Sequence, residues 1–131
     1  MGLLKLLNSD RKMTAKTLKL NLSRFDEYRN VFGTKKIYSL WCEFIEQSKQ
    51  NWKNIEDANW EEKRLIFHSW RSSSQVFGMD DFSAICLVIE DRIIRHRLSG
   101  VDILITKSQD IFEESVKQAA LIFSKMETQD D

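Results

Sequence analysis

Residues 59–78 read NWEEKRLIFHSWRSSSQVFG, and the spacing of their side chains decides the fold. Asn59 is a preferred N-cap, and Glu62 three residues later supports the same turn, which predicts that a helix begins here. Gly78 favours the left-handed backbone that ends helices. Between these two residues, the side chains that share one side of the helix recur at steps of three, four and three residues. They are Phe67, Trp70, Ser74 and Phe77. The stretch therefore predicts an amphipathic helix that runs to about Phe77.

Helix signals of the same kind lie upstream of this stretch. A short first helix is predicted to begin at Ser23, whose hydroxyl can cap it, and to end near Gly33. A second helix is predicted from Thr34 to Asn51 or a little beyond. Its apolar stripe has helical spacing and consists of Ile37, Leu40, Trp41, Phe44, Ile45 and Ser48.

Two more helices are predicted downstream. Asp80 is expected to cap the fourth helix, which the pair Ser99-Gly100 is expected to end. The fifth helix is predicted to run from Val101 to about Met126. The buried side of the fourth helix is predicted to consist of Phe82, Ile85, Cys86, Ile89 and Ile93.

The order and length of these helices predict an all-α protein. The chain has 131 residues, no proline and four glycines, which favours few, long helices over a strand-rich fold with frequent turns. Four long amphipathic helices with short links predict an antiparallel four-helix bundle, with the short N-terminal helix at one end. We expect residues 1–20 to be a flexible segment and residues 21–131 to form one domain, which makes a monomer the default.

Composition excludes several function classes. The 20 basic and 20 acidic residues cancel, which argues against a general nucleic-acid binder. No run approaches the roughly 18 apolar residues of a membrane span, so a cytoplasmic protein without a membrane partner is expected. Cys42 and Cys86 lie within apolar helical patterns and are predicted to be reduced core residues. Two histidines and two such cysteines do not predict a metal site.

The polar face of the third helix carries the chemistry. His68 lies on this face, with Arg64 one turn before it and Arg71 one turn after it. A guanidinium stays charged and can compensate phosphoryl oxygens, whereas a neutral imidazole is nucleophilic. Ser72 and Gln75 add small or hydrogen-bonding side chains on the same side. These neighbours suit a phosphoryl group carried by the His68 ring.

The segment resembles the signature of the histidine-containing phosphotransfer (HPt) family. That signature runs His, any residue, an apolar residue, Lys, Gly and two small residues, with a glycine ten positions after the His. The matching residues here are His68, Ser69, Trp70, Arg71, Ser72, Ser73, Ser74 and Gly78. Glu90 matches a Glu or Gln of the family's next helix, and Asn59-Trp60-Glu61 matches its helix start.

The resemblance, which covers residues 20–127, implies a phosphocarrier in a two-component phosphorelay and no autokinase activity. It implies that His68 is the phosphorylation site and that Arg71 compensates the phosphoryl charge. Arg64, on the same helix face, is a further candidate binding residue. Ser72, Gln75 and Gly78 are expected to shape the docking surface. The implied partners are a receiver domain or a hybrid histidine kinase. No cofactor is expected, since the Mg²⁺ would be the receiver's own.

Other interpretations stay open at this point. Arg71 and Ser72 stand where the family has Lys and Gly, so the chain could be a degenerate module that docks a kinase or receiver without transfer. A helical structural protein without a signalling role is another alternative, and it predicts that His68 is partly buried. Glu90 either orients His68 or belongs to a solvated face, and His96 is expected to be an ordinary cation at a helix end.

Overall fold

A computed structural model describes residues 18–129, and this part of the chain is helical without any β-strand. A 3₁₀ turn, Ser74–Phe77, continues the third of its helices. The five helices are α1 (Leu22–Phe32), α2 (Thr34–Asn54), α3 (Trp60–Ser73), α4 (Asp80–Ile94) and α5 (Val101–Gln129). The all-helical prediction is confirmed. Most of the N-terminal segment predicted to be flexible, residues 1–17, lies outside the described residues.

The bounds of α3 follow its local signals. The Glu62 backbone N–H donates to the Asn59 side chain at 2.8 Å, and the Asn59 N–H donates to the Glu62 carboxylate at 2.9 Å. This reciprocal capping box satisfies donors that no helical carbonyl can reach. At the other end, Gly78 has a φ of 69° and a ψ of 17°, the left-handed conformation that ends the 3₁₀ turn.

Two of the predicted caps are wrong. The N-cap of α1 is Asn21, whose side chain accepts from the Arg24 N–H at 3.0 Å, and Ser23 lies inside the helix. The N-cap of α4 is Met79, and Asp80 is the first helical residue. Its carboxylate instead accepts from the Asn21 amide at 2.8 Å and pairs with Arg24 at 3.1 Å. Asp80 therefore connects the starts of α1 and α4.

The end predicted for α4 is also wrong. The helix ends at Ile94, before the predicted Ser99-Gly100 stop. His96 then adopts a φ of 56°, a region in which histidine is found more often than most side chains. The chain crosses to α5 through a turn that contains Gly100 with a φ of 78°.

The core contains two clusters of aromatic rings. One cluster joins α2, the 3₁₀ turn and α5, with ring centroids of Trp41 and Phe77 and of Trp41 and Phe123 both 5.1 Å apart. The second cluster joins α2 and α3 to α4 and α5. Its rings are Trp52, Trp70, Phe82 and Phe112, with centroid separations between 4.5 and 6.4 Å. Edge-to-face and tilted ring pairs of this kind add to the free energy gained by burying the rings.

The cysteines differ in burial. Cys86 is fully buried in α4, as predicted, whereas Cys42 is exposed on α2, so its prediction as a core residue is wrong. The buried stripe of α2 passes through Trp41 and Phe44, and Cys42 lies about 100° around the helix from Trp41. Both thiols are free.

The chain before α1 is attached to the rest of the fold. Leu18 is buried in the core, and its carbonyl accepts a hydrogen bond from the Gln118 side chain. The Asn21 N–H donates to the Gly78 carbonyl at 2.8 Å. The last residues of the segment predicted to be flexible, 18–20, and the adjoining Asn21 therefore pack against α5 and the 3₁₀ turn.

Candidate functional site

The orientation of α3 places His68 on the surface. Phe67 and Trp70 are both buried, at 0% and 2% exposure, and the Trp70 indole N–H donates to the buried Ser48 hydroxyl at 2.9 Å. Burying side chains of this size contributes about 1.5–3 kcal/mol each, which holds the helix in one rotation about its axis. His68 lies between them in sequence and on the opposite side, and 51% of its side chain is exposed.

Glu90 of α4 holds one nitrogen of the His68 ring. Its side chain is only 6% exposed, and Oε2 lies 2.6 Å from His68 Nδ1. A carboxylate only accepts hydrogen bonds, so Nδ1 carries the proton and donates it to Oε2. In the neutral ring this assigns the lone pair to Nε2, for which the described residues 18–129 provide no partner. One ring nitrogen, Nδ1, is therefore bonded to Glu90, and the other, Nε2, is available to react.

Two guanidiniums accompany the buried carboxylate. Arg71 Nη1 lies 3.3 Å from Glu90 Oε1, close enough for an ion pair. The contact is not aligned as a hydrogen bond, so Oε1 is a buried oxygen with no hydrogen-bond donor. Arg64 Nη1 lies 3.8 Å from Oε2, the same oxygen that accepts from His68. Opposite charges at this range offset the loss of hydration that burial imposes on a carboxylate.

Arg64 is held mainly by a residue outside the predicted site. Its Nε and Nη2 donate to the two carboxylate oxygens of Glu61 at 2.9 and 2.6 Å. This hydrogen bonding lowers the pKa of Glu61 and raises the pKa of Arg64. Glu61 is not among the predicted site residues, although its position three residues before Arg64 is the spacing of a helical ion pair.

The remaining predicted site residues are divided between the surface and the helix contacts. Ser72 is exposed. Gln75 is partly buried and donates to the Ser83 hydroxyl at 3.1 Å, and that hydroxyl donates to the Arg71 carbonyl at 2.6 Å. Gln75 and Ser83 therefore link α3 to α4, and Ser83 was missed because its partners lie on another helix.

Gly78 does not shape a docking surface, and that prediction is wrong. The residue is buried, and a β-carbon at this position would overlap the Asn21 carbonyl oxygen. It therefore lies beneath the chain that enters α1, where it permits the close contact and the positive φ. The second histidine, His96, is exposed in the turn after α4.

Cys86 lies one helical turn before Glu90 and is fully buried. Burial raises the pKa of its thiol well above the ordinary value, and the nearby Glu90 charge acts in the same direction. A thiol in this state is a poor nucleophile, so the reactive group of this site is the imidazole. Residues 18–129 contain no group of three His, Cys, Asp or Glu side chains that could hold a metal ion.

Comparison with known proteins adds no assignment. No protein-family model, no curated protein and no solved structure matches the chain. Within residues 18–129, no helix has the length and apolar character needed to cross a membrane.

Proposed function

We propose that the chain is a histidine phosphotransfer protein, a monomeric cytoplasmic phosphocarrier built on an antiparallel four-helix bundle. It would accept a phosphoryl group on His68 from a receiver-domain aspartate and donate it to another. The observation that carries the proposal is the half-exposed His68 ring, with Nδ1 held 2.6 Å from the buried Glu90 and Nε2 available.

The proposed step is an in-line transfer to Nε2. The Nε2 lone pair forms a bond to phosphorus while the bond between phosphorus and the aspartyl oxygen breaks, and the aspartate leaves as a carboxylate. The ring keeps its Nδ1 proton, and Glu90 stabilises the positive charge that develops on the ring. Arg71, one turn along, adds positive charge beside the phosphoryl oxygens while its guanidinium stays paired with Glu90. A receiver would bring its own Mg²⁺, and the carrier itself needs no cofactor.

The surroundings of His68 agree with a docking partner. The ring projects from the middle of a helix, and Ser72, one turn further on, is small and exposed. Holding Nδ1 in place limits ring rotation, and a positioned nucleophile lowers the entropy lost in reaching the transition state. These features support a carrier that relies on its partner for the activated phosphoryl group.

The test is incubation with a phosphorylated receiver domain, followed by detection of acid-labile phosphate on the chain. His68→Gln should abolish labelling, since Gln keeps a polar side chain and lacks the nucleophile. His96→Gln is the matched control and should be labelled like the wild type. Labelling that survives in His68→Gln, or no labelling from any of several receivers and from the small phosphodonor phosphoramidate, would refute the proposal.

One observation favours a second candidate, a docking module that does not transfer phosphate. Arg71 stands where the family has Lys, and its guanidinium is already paired with Glu90 at 3.3 Å. A docking module would bind a receiver or kinase but would not become labelled with phosphate. Binding without labelling in the same assay identifies it.

A further inference from the structure

The charges around His68 cancel before any phosphoryl group arrives. Arg64 and Arg71 contribute two positive charges, and Glu61 and Glu90 contribute two negative charges. The phosphoryl oxygens carry about two negative charges at neutral pH. The ring that keeps its Nδ1 proton carries one positive charge, so the site as a whole becomes negative. Its oxygens meet an uncompensated positive charge only if one arginine leaves the carboxylate that holds it in the resting protein.

The two arginines differ in what they would leave behind. If Arg71 moved, Glu90 Oε1 would lose its nearest positive charge, and this oxygen is buried without a hydrogen-bond donor. An unpaired buried charge is strongly destabilising. If Arg64 moved, it would leave Glu61, whose side chain is 65% exposed and can be hydrated again. It would also leave its 3.8 Å contact with Glu90 Oε2, but this oxygen keeps its hydrogen bond from the His68 ring. Exposed ion pairs of this kind contribute little, so Arg64 is the easier group to move.

We propose that Glu61 competes with the phosphoryl group on His68 for Arg64. In the resting protein Arg64 donates two hydrogen bonds to Glu61 while its Nη1 lies near Oε2 of Glu90, the oxygen that also holds the His68 ring. On phosphorylation Arg64 turns from Glu61 to the phosphoryl oxygens. Glu61 thereby weakens retention of the phosphoryl group and keeps it transferable. This inference rests on the proposed function.

Phosphoramidate is a suitable probe because it needs no partner protein. The His68 Nε2 lone pair attacks phosphorus, the N–P bond of phosphoramidate breaks, and ammonia leaves and takes up a proton from water. The ring keeps its Nδ1 proton. The fraction of phosphorylated protein at equilibrium and the half-life after removal of the donor both report how well the site holds the phosphoryl group.

Glu61→Gln removes the competing charge and keeps the shape of the side chain. We expect the phosphohistidine half-life to rise about two- to five-fold, the range that an exposed ion pair allows. Arg64→Gln should shorten it, and the double variant should behave like Arg64→Gln. Asp91→Asn is the matched control, because it removes an exposed helical ion pair, with Arg95 at the end of α4, without touching Arg64.

The outcomes separate this inference from the proposed function. If the wild type is phosphorylated on His68 and Glu61→Gln has an unchanged half-life, the competition is refuted and the phosphocarrier stands. The same conclusion follows if the gain from Glu61→Gln persists when Arg64 is Gln, or if Asp91→Asn produces an equal gain. If neither phosphoramidate nor a receiver labels the wild type, both proposals fail. A gain that requires Arg64 supports the inference.

Discussion

Replacing Gly78 with alanine should destabilise the protein although it adds a single methyl group. A β-carbon at this position would overlap the Asn21 carbonyl oxygen and would lie 3.1 Å from its carbon. Both partners are backbone, so no side-chain rotation relieves the contact. The chain entering α1 would have to move, which would disturb the hydrogen bond from the Asn21 N–H to the Gly78 carbonyl.

The magnitude follows from two separate effects. The φ of 69° at Gly78 costs a side-chain-bearing residue about 1–2 kcal/mol. Displacing the Asn21 backbone adds about 1–2 kcal/mol, from the disturbed hydrogen bond and the forced shift of packed atoms. We therefore expect Gly78→Ala to lower the free energy of unfolding by about 2–4 kcal/mol, a large share of the stability of an ordinary domain.

Urea unfolding followed by circular dichroism measures this change, and Gly100→Ala is the matched control. Gly100 has a φ of 78°, and a β-carbon there would meet no atom within 4 Å, so its loss should be only the backbone part, about 1–2 kcal/mol. Equal losses in the two variants would show that the contact with Asn21 has no energetic weight. Under conditions where Gly78→Ala is folded, its phosphotransfer should match the wild type, because Gly78 does not line the surface around His68.

Two further predictions concern single titratable side chains. An alkylating reagent at pH 8 should modify Cys42 rapidly and Cys86 only on unfolding, since Cys86 is buried and its pKa is raised; equal rates in the folded protein would contradict the packing of α4. Burial, aided by the Asp80 charge, raises the pKa of Asp81, so its ionised form opposes folding. Asp81→Asn should therefore increase the free energy of unfolding at pH 7, and this gain should fade as pH falls through the native pKa of Asp81. A gain in urea unfolding that is larger at pH 3 than at pH 7 would contradict this sign.

The helices were predictable from the sequence where their signals are local. The capping box at Asn59 and Glu62 and the stop at Gly33 need only residues within one turn, and the structure has both. The buried side of α4 follows in the same way from one helical period. Composition added the absence of proline, which left few alternatives to long helices.

The caps of α1 and α4 were not predictable because they depend on residues far apart in the sequence. Ser23 and Asn21 are both acceptable caps, and Asp80 is a better cap than Met79 by residue type. Asp80 is drawn instead to the Asn21 amide, 59 positions away. The prediction for the end of α4 was wrong for a different reason. His96 provides the left-handed turn, whereas the sequence suggests that the later glycine, Gly100, provides it.

The features of the candidate site were likewise predictable where one helix decides them and not where two helices do. The outward direction of His68 follows from α3 alone, because the buried Phe67 and Trp70 leave it only the polar side. Glu90 follows a buried isoleucine and lies at the border of the buried stripe of α4. The pattern of α4 alone therefore allows its carboxylate to be either hydrated or buried. Burial is favourable only if a neighbouring helix supplies a hydrogen-bond donor and opposite charge, and α3 supplies the imidazole N–H and two guanidinium charges. Arg64 lies four residues before His68 and Arg71 three residues after it, so the three side chains share the face of α3 that lies toward Glu90. Whether the carboxylate is buried or hydrated therefore depends on α3 and α4 together.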